Sequence, residues 1–211
     1  MEITGGASPR VLPFGEIRDL DTAQMAVQAS LTGHLVLSTL HTNDAPSAVT
    51  RLLDLGLPHY LIASTLNGVL AQRLLRTLCA HCKRPGEVPE GGWMALLDPG
   101  EPVPPGQPHV PVGCLECRNT GYQGRVGLYE LMPVTPQLRA MIRPDMELAT
   151  FARTAVGGGL RTLRRAGAVG VLMAMVVVIA GCGSNGIQSI PLPGGVDTGD
   201  NARTYRIQFD N

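Results

Sequence analysis

Two pairs of cysteines are spaced for metal chemistry. Cys79 and Cys82 make one Cys-x-x-Cys step, and Cys114 and Cys117 make another. Each step bends two thiolates toward one point, and two such steps complete a tetrahedral Zn²⁺ shell. The long stretch between them is no obstacle, because the entropy of loop closure grows slowly with length. Four sulfur ligands leave no open position, so the predicted role of the zinc is structural. The competing reading is two redox pairs or buried thiols, but the surrounding pattern shows no redox fold. A four-cysteine knuckle can also bind nucleic acid. A formal net charge of zero and a proline-rich, aromatic-poor loop predict no nucleic-acid partner here.

A second group of residues is suited to phosphate chemistry. Gly15-Glu16-Ile17-Arg18-Asp19 follows a short apolar run, Val11-Leu12-Pro13. A carboxylate at the C-terminal end of a parallel strand sits where nucleotide sites form in α/β sheets. There it can orient a water toward a terminal phosphate. The plain alternative is a solvated turn in which Glu16 favours the dipole of the next helix. Further along, Leu31 to Asn43 places His41 at the end of the next predicted strand, with Thr39, Thr42 and Asn43 beside it. That cluster could read the charge of a phosphate. His34, in the helix–strand connection, is read as structural.

The elements that must position these residues follow from periodicity and caps. Asp19 to Leu31 is predicted as a helix, capped by Asp19 or Asp21 and ended by Gly33. Leu35 to Leu40 has the length and β-branched bias of a buried strand. Asp44 and Pro46 open the next helix, which stops at Gly56. Pro58 is predicted to open a longer helix, because Ile62, Thr65/Leu66, Val69/Leu70 and Leu74/Leu75 repeat at helical spacing. The alternation of strand and helix predicts a parallel α/β sheet. Pro13 argues against a central strand at the start. Gly86 to Pro111 is a Pro/Gly-rich loop with one turn around Trp93 to Leu97. Gly127 to Met132 is predicted as a strand, Thr135-Pro136 to Ile142 as a helix, and Met146 to about Arg165 as a helix broken at Gly157-Gly158-Gly159. Thr204 to Phe209 alternates like a strand.

Gly15 to Asp19, Thr22-Ala23-Gln24 and Leu31 to Asn43 resemble the Walker B and histidine boxes of the type II secretion and type IV pilus assembly ATPases (the secretion protein E family). The resemblance continues through Ala71-Gln72-Arg73-Leu74, Gly113-Cys114, Gly121-Tyr122, Gly124-Arg125 and Gly127 to Pro133, and fades after Gly159 to Leu163. It implies the C-terminal half of a RecA-like P-loop NTPase sheet, with Glu16 the catalytic glutamate and His41 the phosphate-sensing histidine. Gly15, Arg18 and Thr39 would contact the nucleotide. It further implies ATP and Mg²⁺ as ligands and a homo-hexamer docked on inner-membrane secretion or pilus platform proteins. The implied location is the cytoplasm, peripheral to the inner membrane. The sequence departs from the family in one central respect. It carries no Gly-rich loop ending in Lys-Ser/Thr, whose lysine and hydroxyl hold the phosphates and Mg²⁺. The family's aspartate box and completing arginines are missing as well. The chain alone is therefore expected not to hydrolyse ATP.

These readings divide the chain into four parts. Residues 1–78 are the RecA-like half-domain, 79–125 the zinc subdomain, 126–165 a C-terminal strand and helices, and 166–211 a tail. In the tail, Arg161, Arg164 and Arg165 precede an apolar run from Ala166 to Gly181, short for a spanning helix and right for a signal-peptide core. Membrane insertion through 166–181 is one expectation for it. Small residues before Cys182 resemble a bacterial lipobox, which makes Cys182 a lipidation candidate. Ser189 to Gly194 and Thr204 to Asn211 resemble the start of a lipoprotein of the Mce lipid-transport family. Two other functions are thus open: an inert zinc-stabilised docking module, and a membrane-anchored Mce-type lipoprotein precursor.

Overall fold

The computed structural model describes residues 11–88, 91–97, 102–103, 106–172, 180–183, 186–189 and 205–209, with side chains described as far as residue 168. The first strand, β1 (Val11–Glu16), lies at one end of a five-stranded sheet. An end strand needs only one row of hydrogen bonds, so Pro13, which has no N–H to give, is tolerated there. The helix α1 (Leu20–Leu31) starts as its sequence predicts. Asp19 accepts from the Thr22 N–H at 2.9 Å, and the Thr22 hydroxyl closes the box on the Asp19 N–H at 3.4 Å. Gly33, with φ near +89°, ends the helix and turns the chain into β2 (Leu35–Thr39).

β1 and β2 are parallel, with Val11 beside Leu35 and Pro13 beside Leu37. Between Pro13 and Glu16 the register shifts, and Glu16 comes to lie beside Thr39. Three steps along β1 thus match two along β2, a bulge that places one extra residue ahead of the carboxylate. The helix α2 (Ala45–Asp54) follows, its first turn capped by Asp44, which accepts from Ser47 N–H at 2.8 Å. A short helix, α3 (His59–Thr65), comes next.

The longer helix expected from Pro58 ends at Thr65. Leu66 to Leu78 is instead a strand, β3. Apolar residues spaced three to five apart fit either period in part, and the exposure pattern settles the difference. Leu74 and Arg76 are exposed while Leu75 and Thr77 are half-buried, a repeat of two. The strand's partners lie far along the chain, so local periodicity carries no trace of them. One such approach is at Gly68, where a Cβ would stand 3.4 Å from the Met132 carbonyl.

Beyond β3 come the two-residue strands β4 (Arg84–Pro85) and β5 (His109–Val110), paired antiparallel, with α4 (Gly92–Leu96) between them in sequence. A 3-10 turn spans Leu115–Cys117. The strand β6 (Tyr122–Pro133) begins five residues earlier than its sequence signal. The helices α5 (Pro136–Met141), α6 (Leu148–Gly157) and α7 (Leu163–Leu172) follow. A small antiparallel pair, β7 (Ala180–Gly183) and β8 (Gly186–Ser189), precedes the last strand, β9 (Tyr205–Phe209). The main sheet has the order β1-β2-β9-β3-β6. It is mixed, because β9 runs antiparallel to its neighbours β2 and β3.

The chain forms two compact units. One holds residues 1–71, 130–160 and 203–211, and the other holds 72–129 and 161–202. The first has a core of Val27, Val36, Leu52, Ile62, Leu66 and Phe151, all fully buried. The second has a smaller apolar cluster, in which Leu96, Leu97 and Ala168 pack with Val88 and Trp93. Among the described residues, no helix is long and apolar enough to cross a membrane. Part of the 166–181 run, residues 173–179, lies outside the described residues.

Candidate functional site

Parallel pairing sends the C-terminal ends of β1 and β2 to the same edge of the sheet, and there Glu16, Arg18 and His41 meet. Glu16 ends β1, and its Oε2 accepts from Nη2 of Arg18 at 2.6 Å. Its Oε1 lies 2.6 Å from Nε2 of His41. The backbone is laced just behind them. Ile17 N–H donates to the Thr39 carbonyl at 2.8 Å, and the Ser38 hydroxyl donates to the Gly15 carbonyl. Glu16 is the inner member of the group, with its side chain 21% exposed, whereas those of His41 and Arg18 are 66% and 75% exposed. The Arg18 guanidinium holds the Glu16 carboxyl below its ordinary range. Partial burial opposes this, and the charge of His41 adds to it. Glu16 is thus an ionised carboxylate at neutral pH, at an edge open to solvent.

Of the residues singled out for this edge, Glu16, Arg18 and His41 converge by their side chains. Gly15 and Thr39 take part through backbone carbonyls. Thr42 turns inward instead, donating its hydroxyl to the Asp44 carbonyl at 3.1 Å. His34 sits in the α1–β2 connection, where Nδ1 lies 3.0 Å from the Thr32 hydroxyl and 3.3 Å from the Ala29 carbonyl.

One residue at this edge escaped sequence reasoning. Glu130, on β6, is 2% exposed, and its Oε1 accepts from the Ala45 N–H at 2.8 Å. Ala45 is the first residue of α2, so a buried carboxylate satisfies one of that helix's free N–H groups. The turn carrying His41 leads directly into that helix. The signal was present in the alternation of β6: Glu130 shares a strand face with Met132, which is 1% exposed.

The four cysteines lie in the other unit. Their Sγ atoms all fall within 4.8 Å of one another. Cys79 and Cys114 are 3.9 Å apart, Cys82 and Cys117 are 3.8 Å apart, and Cys114 and Cys117 are 3.8 Å apart. Four sulfurs at the usual Zn–S bond length form a tetrahedron with edges of about 3.8 Å, so the donor set fits that ion. Backbone N–H groups aim at the sulfurs. Gly113 N–H reaches Cys82 at 3.3 Å, and Cys114 and Gly121 N–H each reach Cys117 at 3.2 Å. Burial pushes the Cys117 thiol up. The N–H groups of Cys114 and Gly121, with the thiols of Cys114 and Cys82, outweigh that and bring it down to about 6. Thiolate is the metal-binding form. Gly121 has φ near +76°, and a Cβ there would stand 2.5 Å from the Pro111 Cβ. The second knuckle therefore requires glycine at this position. The lipidation candidate Cys182 falls on the β7 backbone, and its thiol lies outside the described side chains.

A family model described as "Type II/IV secretion system protein" matches residues 7–183. The chain is 51% identical over 164 residues to the type IV pilus assembly ATPase TfpB of Acinetobacter baylyi, covering 78% of this chain and 28% of that protein. It is 48% identical over 162 residues to the type II secretion system protein HxcR of Pseudomonas aeruginosa, covering 75% of this chain and 30% of that protein. It is 49% identical over 161 residues to the type II secretion system protein E of Pectobacterium carotovorum, covering 75% and 31%. The chain thus spans less than a third of the length of these relatives. The Mce-family resemblance of the tail gains no support from them.

Proposed function

The chain belongs to the type II/IV secretion system protein family, and from that premise we propose that it is the water-positioning edge of a secretion or pilus-assembly ATPase together with a structural zinc knuckle. The observation that carries this reading is the contact of Glu16 with both Arg18 and His41 at the C-terminal ends of two parallel strands. This is the edge at which α/β sheets bind nucleotides. The sheet is read as the C-terminal half of a RecA-like P-loop domain.

In the proposed mechanism Glu16 accepts a hydrogen bond from the attacking water and aligns it with the terminal phosphorus. Its ionised state suits that task. His41, on the solvent side of the carboxylate, exchanges its contact with Glu16 for one with the phosphate oxygens. Arg18, Gly15 and Thr39 complete this wall of the nucleotide site. The phosphate cradle and the Mg²⁺-binding hydroxyl belong to a Gly-rich loop that this sequence does not carry; Lys83, within the first knuckle, is its one lysine. Cys79, Cys82, Cys114 and Cys117 would hold one Zn²⁺, which supplies a cross-link and no chemistry. The working assembly is a homo-hexamer on inner-membrane platform proteins, at the cytoplasmic face.

Phosphate release tests this reading directly. The purified chain with Mg²⁺-ATP is expected to give no turnover beyond that of its Glu16→Gln variant. A chimera carrying residues 11–163 in place of the matching segment of the A. baylyi ATPase is expected to hydrolyse ATP. In that chimera Glu16→Gln should lower kcat roughly a hundredfold or more. A chimera equally active with and without that substitution would remove Glu16 from the mechanism.

A further inference from the structure

The main sheet contains a strand whose polarity is foreign to its place. β9 runs antiparallel to β2, with Val36, Leu37 and Ser38 beside Phe209, Gln208 and Ile207. It also runs antiparallel to β3, with Gly68, Val69, Leu70 and Ala71 beside Gln208, Ile207, Arg206 and Tyr205. Two strands antiparallel to one neighbour are parallel to each other, so β1, β2 and β3 share a direction that β9 opposes. All five residues of β9 pair with β3, and Ile207, Gln208 and Phe209 also pair with β2, which makes this an interior position filled from the far end of the chain. Tyr205, Ile207 and Phe209 alternate with Arg206 and Gln208, the period-two pattern that suits such a position.

We infer that the slot between β2 and β3 is a strand-acceptor site, and that the β9 strand of a second copy of this chain can occupy it. Three observations support that occupant. The pairing itself shows that this sequence fits the slot. β9 belongs to the same compact unit as β1 and β2, although it is the last strand of the chain. The fifteen residues from 190 to 204 precede it, and a segment of that length reaches up to about 50 Å when extended. An identical strand from a neighbour makes the same ladders, and exchanging identical elements is a low-cost route to a dimer. The inference rests on strand polarity and register, and it stands or falls independently of the nucleotide reading.

The test uses the full chain with Ser38→Cys and Ile207→Cys, a pair whose Cα positions are register partners. Oxidation at low concentration locks β9 in its own sheet, as verified by mass spectrometry of the linked peptides. The probe is a fluorescent peptide of residues 203–211. The reduced chain is expected to bind it one to one, at least about tenfold more tightly than the locked chain. Oxidation at rising concentration is expected to shift the link from intramolecular to intermolecular. Equal peptide affinity in the two states, or a link that stays intramolecular at every concentration, would overturn the inference. A second full-length variant, Ile207→Pro, removes a ladder N–H. Backbone amides at 35–39 and 66–71 should then exchange about tenfold faster or more, and the added peptide should restore them. Unchanged exchange in that variant would count equally against the proposal.

Discussion

At the ends of β1 and β2, Glu16 meets Arg18 and His41 at 2.6 Å each, so the carboxylate is already answered by two basic side chains. At the knuckles four sulfurs crowd within 4.8 Å of one another, and the N–H groups of Gly113, Cys114 and Gly121 turn toward them. In the first arrangement opposite charges answer one another within the protein. In the second, donors of one kind converge on one point, a set that fits a cation. The two regions also differ in completeness. The cysteine site has four ligands within this sequence, while the proposed role of the carboxylate edge needs a phosphate loop that this sequence does not carry. On that proposal the zinc site is the one of the two that the chain can fill unaided.

The strongest challenge to this contrast is removal of the metal. Structural zinc sites in small modules carry apparent binding free energies of about 10–16 kcal/mol. The purified chain should hold about one zinc per molecule. A strong chelator, or the double substitution Cys79→Ser/Cys114→Ser, should abolish amide protection in 72–129 while leaving Glu16–His41 in place. Elemental analysis and hydrogen exchange read the two effects. Stoichiometric zinc in the double variant would contradict the assignment.

Next in size is Gly121→Ala. It combines a left-handed φ with a 2.5 Å clash against Pro111, and should cost about 1–3 kcal/mol, read as weaker zinc retention against a competing chelator. Glu130→Ala should be of similar magnitude in the other unit. It strands the buried Ala45 N–H, and about 1–3 kcal/mol of stability should be lost in urea denaturation. Glu130→Gln, which keeps an acceptor oxygen, should lose less.

The smallest expected effect belongs to Glu16 itself. Its pKa in the fold lies below the ordinary value of 4.5, with the Arg18 contact the main cause. A depressed pKa contributes stability that is present above the unfolded value and is lost as pH falls through the folded one. Glu16→Gln should therefore remove a small contribution above about pH 4.5, and the two proteins should converge in stability as the carboxylate protonates in acid. The contribution should be slight, because exposed ion pairs are screened. A large loss at pH 7 in a thermal melt would mean that the trio supports the fold.

Much of the carboxylate edge is legible in the sequence because its elements are announced locally. Asp19 and Asp44 cap the helices they are expected to cap, and Gly33 and Gly56 lie at positive φ where the helices stop. The convergence of Glu16 and His41 follows from two successive strands of one polarity. The cysteines are legible from spacing alone. What escapes is set by contacts distant in sequence. β3 reads as a helix because its pairing with β6 and β9 leaves no local mark. The alternation of β6 marks Glu130 as buried, but its partner, Ala45, lies far up the chain and leaves no local mark. The α/β alternation correctly predicts β1 and β2 as parallel neighbours, but it cannot disclose that a strand from the far end lies between β2 and β3 in the opposite sense.

The bulge between Pro13 and Glu16 bears on how insertions and deletions would be tolerated. β1 uses one more residue than β2 over the same length, and a Cβ on Gly15 would meet no atom within 4 Å. Deleting Gly15 would take up the bulge and leave a regular ladder in which Glu16 still lies beside Thr39. The contact at risk is the one at the Gly15 carbonyl, which accepts from the Ser38 hydroxyl. A side-chain replacement at Gly15 meets open space and keeps that carbonyl. The extra residue is thus slack in the strand: it can be drawn in or filled, and the carboxylate keeps its neighbour on β2.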